Sequence, residues 1–140
     1  MITNIENVYV GSVDDIDDEF INNNNIMIIV IVGKGLSHYY NFFSKKYSIN
    51  GLFYFPLEDW NNEENIFFAK SIVQSVVGYH EWQVDGEEKD FNILFCCGAG
   101  LSRSPYIASM FLEENYGEKM IDYYYKFKEQ NKAIKSIFIE

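Results

Sequence analysis

Cys97 and Arg103 are separated by five residues in the run Cys97-Gly98-Ala99-Gly100-Leu101-Ser102-Arg103, and Arg103 is the only arginine of the chain. Every other formal positive charge is a lysine. A guanidinium is a planar fork that meets a phosphate through two parallel bonds, whereas an ammonium acts as a point charge. Gly98 and Gly100 permit unusual dihedrals and a close approach of backbone to ligand. Such a loop turns successive backbone N–H groups inward, and a helix starting behind it aims its positive end at the same place. A phosphate there would receive N–H donors from Gly98, Ala99, Gly100, Leu101 and Ser102 and two bonds from Arg103. The same field favours the ionised sulfur of Cys97, making it a nucleophile near neutral pH. The register is unambiguous, because Cys96, the only other cysteine, has no arginine six residues on. Cys96 is expected to end the strand, buried beneath the loop.

A cysteine followed six residues later by an arginine is common by chance, so the flanking elements carry the argument. The apolar stretch Phe91-Asn92-Ile93-Leu94-Phe95 reads as a buried strand running straight into the loop. A helix is expected over 104–116, with Pro105 in its first turn, where a missing N–H costs nothing, and Gly117 at its end. Further strands are read at Val8-Tyr9-Val10, at 26–32 and at Leu52-Phe53-Tyr54-Phe55. Between them come a short acidic helix after the cap Ser12, a helix over 37–48 capped by Ser37, and a long helix over 62–80. Ile66, Phe67, Ala69, Ile72, Val73, Val76 and Val77 are assigned to the inner side of that long helix. Asp85-Gly86-Glu87-Glu88-Lys89 reads as a polar turn, and a last helix as 118–131. Alternating strands and helices predict an α/β fold with a central, mostly parallel sheet of four to five strands flanked by helices. In such sheets, loops at the carboxyl ends of strands form the binding crevice. Asp59, on the acidic loop after the 52–55 strand, could therefore share a crevice with Cys97. Gly33-Lys34-Gly35 lacks the rest of either phosphate-binding glycine fingerprint and reads as a plain turn. His38 reads as a surface residue.

The segment Ile93-Leu94-Phe95-Cys96-Cys97-Gly98-Ala99-Gly100-Leu101-Ser102-Arg103-Ser104-Pro105 resembles the signature loop of dual-specificity, cysteine-based protein phosphatases. Phe55-Pro56-Leu57-Glu58-Asp59 resembles the general-acid loop of that family, and Val8-Tyr9-Val10-Gly11-Ser12 its opening strand. The resemblance covers nearly the whole chain in order, and so implies one catalytic domain over residues 1–140 with the cysteine-phosphatase fold. It implies that Cys97 attacks phosphorus, that Asp59 protonates the leaving oxygen and then activates water, and that Arg103 and the loop amides hold the equatorial oxygens. Ser104 would stabilise the leaving thiolate, and no metal or other cofactor is needed. One departure stands out: the family places a histidine before the nucleophile, and Cys96 stands there. The adjacent thiols also admit a vicinal disulfide as a redox switch, although its geometry is strained.

Bulk composition narrows the substrate. At 140 residues the chain suits a single core, and 48% hydrophobic and 18% aromatic residues exclude disorder. A formal net charge of −10 argues against nucleic acid or an anionic membrane surface as partner. Two adjacent cysteines form no disulfide framework, and the N-terminus lacks a signal-peptide layout, so a reducing, cytoplasmic setting is the expectation. The variable loop positions Gly98, Ala99, Leu101 and Ser102 carry no lysine, which favours phosphotyrosine and phosphoserine/threonine in proteins over polyanionic substrates. Lys119, Lys126, Lys128, Lys132 and Lys135 read as solvated helix faces before they read as a docking surface. Two alternatives stay open: a phospho-binding protein without turnover, or a phosphatase of a non-protein phosphomonoester. Sulfur-transfer or low-molecular-weight phosphatase chemistry fits less well, since these lack such an acid loop upstream of the cysteine.

Overall fold

The run Ile26–Val32 is apolar at every position because helices cover both faces of the sheet around it, as a central parallel strand requires. The computed structural model describes residues 1–84 and 91–140. The polar turn expected at 85–89 lies outside them. Among the described residues the strands are β1 (Thr3–Ile5), β2 (Val8–Ser12), β3 (Ile26–Val32), β4 (Gly51–Phe55) and β5 (Asn92–Cys97), in the spatial order β1-β2-β5-β3-β4. β2, β5, β3 and β4 run parallel, as the α/β reading requires. β1, which has no periodic signal in three residues, pairs antiparallel with β2 at the sheet edge.

Side chains alternate between two cores. On one face Val8, Val10, Ile28, Val30, Val32, Ile93, Phe95 and Cys97 pack with α3 (Glu63–Val84), α4 (Arg103–Tyr116) and α5 (Met120–Gln130). On the other, Ile29, Ile31, Leu94 and Cys96 pack with Ile21 of α1 (Asp18–Asn23) and Phe43 of α2 (Ser37–Lys46). Each fully buried aliphatic or aromatic side chain contributes roughly 1.5–3 kcal/mol.

Several boundaries differ from expectation for local reasons. Ser12 does cap, but it caps a 3₁₀ turn at Val13–Asp15, and the acidic run then restarts as α1 under its own cap, Asp17, which accepts from Phe20 N–H at 2.8 Å. Ser37 is the first residue of α2 rather than its cap. Phe67 is 74% exposed, because it falls off the stripe that Ala69, Ile72, Val73 and Val76 bury. β5 continues through Cys97 instead of stopping before it. Gly117 ends α4 with φ 88°, the left-handed cap conformation. After α5, residues 131–140 turn back against α4, α5 and the loop that follows β5, burying Ile134 and Ser136. No helix among the described residues is long and apolar enough to cross a membrane.

Candidate active site

Parallel register aligns the carboxyl ends of the strands: Ser12 sits opposite Cys97, Ile31 opposite Cys96, and Val32 opposite Phe55. Loops leaving β2, β3, β4 and β5 therefore meet at one edge, where a ligand crevice is expected in an open sheet.

The loop from Cys97 to Arg103 is fastened to the end of β2. Ser12 Oγ donates to Gly98 O at 2.5 Å and accepts from Asp14 N–H at 3.1 Å. Gly100 has φ 73°, and a Cβ there would stand 2.6 Å from Gly11 C and Ser12 N, so only glycine fits. Gly98 is not in the left-handed region, so the special dihedral belongs to Gly100 alone. Cys97 is 2% exposed, with its sulfur 3.2 Å from Ser104 Oγ and 3.5 Å from Ser104 N, whose N–H it accepts. Arg103 opens α4 behind the loop. Ser102 is the N-cap residue, yet its side chain caps no amide of the helix. The hydroxyl points instead to Asp59, donating to Oδ1 at 2.7 Å.

Asp59 is thus brought to the loop from the end of β4. Asn65, in the first turn of α3, holds the segment on both sides of it. Its Nδ2 donates to Glu58 O and to Trp60 O, the latter at 2.8 Å, and its Oδ1 accepts from Glu58 N–H at 3.3 Å. The Arg103 guanidinium donates through Nη1 to Leu57 O at 3.2 Å and lies against Gly33, where a Cβ would be 2.9 Å from Nη1. Gly33 and Lys34 donate their N–H groups to Phe55 O and Leu57 O at 2.9 and 2.8 Å. The turn at 33–35, read as plain punctuation, therefore seats both the arginine and the acid loop.

One pair of charges at the rim is cancelled. Lys34 Nζ pairs with Glu58 Oε1 at 2.9 Å, and that hydrogen bond, reinforced by the glutamate charge, raises the lysine above its ordinary value. Among the described residues no carboxylate forms an ion pair with Arg103, and no cluster of His, Cys, Asp and Glu could hold a metal.

Cys96 and Cys97 are both free thiols on opposite faces of β5, so the strand geometry that buries them also keeps them from a vicinal disulfide. Cys96 is fully buried, and its thiol donates to Val30 O at 3.7 Å. Desolvation, followed by the neighbouring Cys97, pushes it well above an ordinary thiol value. The structure thus brings together Cys97, Arg103, Ser104, Asp59 and the loop 98–102. Sequence reasoning missed Ser12, Gly33 and Asn65, and only Ser12 and Gly33 carried a signal, each lying at the end of a strand.

No family model and no curated protein matches the sequence. Solved structures do match. Human DUSP28 aligns over 97% of this chain and 84% of its own at 13% identity, with a TM-score of 0.72. The Cydia pomonella PTP-2 phosphatase aligns over 97% and 83% at 15% identity, TM-score 0.70. The human tyrosine phosphatase-like serine/threonine/tyrosine-interacting protein aligns over 97% and 87% at 17% identity, TM-score 0.66. From β1 to the segment after α5, this chain has the dual-specificity phosphatase fold.

Proposed function

We propose that the chain is a protein phosphatase that hydrolyses phosphotyrosine and phosphoserine/threonine through a phosphocysteine intermediate. One observation carries this reading: the buried sulfur of Cys97 lies 3.2 Å from Ser104 Oγ, at the base of a loop that Asp59 and Arg103 both enclose. The phosphate sits on the amides of 98–102, with Arg103 spanning two of its oxygens. Cys97 Sγ attacks phosphorus, so the S–P bond forms as the P–O bond breaks, and Asp59 gives its proton to the leaving oxygen. Asp59 then removes a proton from water as that water attacks phosphorus. The S–P bond breaks, and the departing thiolate accepts a hydrogen bond from Ser104. Arg103 and the amides stabilise the equatorial charge in both steps.

A protein phosphomonoester fits better than a polyanion, because the loop positions 98–102 carry no basic side chain and Lys34, at the neighbouring turn, is tied to Glu58. The test is turnover of a small aryl phosphate. Hydrolysis should follow a bell-shaped pH profile, stop with vanadate and fall to background in Cys97→Ser. The same variant should trap phosphopeptides from a library. Undiminished turnover by Cys97→Ser would refute the nucleophile. Phosphopeptide capture by a wild-type protein that turns nothing over would favour the phospho-binding alternative, to which the match with a phosphatase-like interacting protein also points.

A further inference from the structure

Ser102 is a helix N-cap serine that does not cap, and its two actual partners determine what its hydroxyl can do. Ile137 N–H donates to Oγ at 3.1 Å, and Oγ lies 2.7 Å from Asp59 Oδ1. A backbone N–H can only donate, so the single hydroxyl hydrogen is left for the carboxylate. The ionised carboxylate can only accept, so Ser102 donates to it, while the Ile137 N–H, from a segment 35 positions further along the chain, fixes where the hydroxyl oxygen stands.

That segment is anchored on both sides of the contact. Lys135 N–H donates to Leu101 O at 3.0 Å, within the loop itself. Ser136 N–H donates to the buried Tyr124 hydroxyl of α5 at 2.8 Å. The Phe138 ring stacks on Tyr106 in the first turns of α4, with centroids 4.5 Å apart and planes 8° from parallel. Glu140 closes the segment onto Lys128 at 2.6 Å and onto the Tyr124 hydroxyl. Ile134 and Ser136 are buried beneath it.

We propose that Ser102 is a positioning residue for Asp59, and that residues 131–140 hold its hydroxyl in the donating orientation by packing on the loop. The proposal rests on the phosphatase reading, in which Asp59 is the general acid. Asp59 is an exposed side chain at a loop tip, and an untethered carboxyl there would sample many directions. With Oδ1 engaged by Ser102, Oδ2 is the oxygen that carries the proton to the leaving group and recovers one from the attacking water. Fixing a reacting group in this way lowers the barrier without adding a charge.

The experiment compares an aryl phosphate with a good leaving group against an alkyl phosphate, using the full chain. Ser102→Ala should lose about tenfold or more on the alkyl substrate and much less on the aryl one, as expected when general-acid assistance is weakened. Ser102→Thr should restore the ratio. In an Asp59→Ala background, Ser102→Ala should have no further effect. Ile137→Pro, which deletes the donating N–H together with the isoleucine side chain, should reproduce the Ser102→Ala selectivity, while Ile137→Ala, which removes the side chain alone, should not. Glu140→Ala, which frees the segment without touching its backbone, should act in the same direction and serves if the proline variant does not fold. Equal losses on both substrates, or a Ser102→Ala effect that persists without Asp59, would overturn the positioning role. Normal selectivity in both Ile137→Pro and Glu140→Ala would overturn the part given to 131–140. A wild-type protein with normal turnover whose Asp59→Ala variant shows no leaving-group dependence would overturn the acid assignment itself, whatever Ser102 does.

Discussion

Adjacent residues of a strand point to opposite faces, so Cys96 and Cys97 occupy different surroundings although they share a peptide bond. Cys96 is enclosed by Val13, Ile29, Ile31, Phe43 and Leu94, and burial holds its thiol protonated well past the ordinary range. Cys97 opens on the loop, with Ser104 beside its sulfur. Iodoacetamide near neutral pH should therefore modify one thiol of the native protein. Peptide mass mapping should find the label on Cys97, with vanadate protecting it and Cys96 reacting only after denaturation. Labelling of Cys96 at a comparable rate in the native state would contradict this division. The same alternation decides where the thiol goes that stands in place of the histidine of the resembling family. The side chain faces the far core and satisfies itself on Val30 O.

Among the elements, the turn between β3 and α2 does more than reverse the chain. Gly33 leaves the space that the Arg103 guanidinium fills, and its N–H bonds Phe55 O at the end of β4. A Cβ at Gly33 would lie 2.6 Å from Leu36 Cδ1, 2.9 Å from Arg103 Nη1 and 3.1 Å from its Cζ. All three atoms belong to side chains that can move, and the backbone there is not left-handed, so Gly33→Ala is expected to cost little stability. It should instead displace the fork from the place where we propose that it meets the phosphate oxygens. Losing charge-assisted bonds of this kind corresponds to roughly 10- to 100-fold weaker oxyanion binding. Inhibition by vanadate and by inorganic phosphate should weaken together, with a melting temperature near that of the wild type. Unchanged inhibition would mean that the arginine does not depend on this turn.

On the scale of the whole molecule, the end of the described chain is latched by charge. Glu140 is held below the ordinary carboxylate range, first by its hydrogen bond from Lys128 and then by that from Tyr124. A carboxylate with a depressed folded value stabilises the fold above its unfolded value of 4.5, and that contribution disappears as pH falls through the lower folded value. The latch should therefore hold at neutral pH and loosen below the carboxylate range. Hydrogen exchange of Lys135, Ser136 and Ile137 amides should speed up on acidification in the wild type and already be fast at neutral pH in Glu140→Gln. Protection unaffected by either change would remove the latch. Along the chain, much was legible without coordinates. The register of Cys97, the loop 98–102 and the helix behind it follow from local spacing, since a strand, a tight glycine turn and a helix start are each written within a few consecutive residues. The α/β class was legible for the same reason, from alternating apolar periods. The exposure of Phe67, the edge strand β1 and the partners Ser12, Gly33, Asn65 and Ile137 were not. Each depends on which segments lie side by side, and pairing between segments far apart in sequence leaves no local trace beyond the strand-end positions of Ser12 and Gly33. Sequence alone determined that Cys97 and the arginine stand at the two ends of one short loop between a strand and a helix, because all three are written within a few consecutive residues. Only tertiary structure decided what surrounds them: parallel register brings four strand ends to one edge, and the returning segment 131–140 closes the back of the loop.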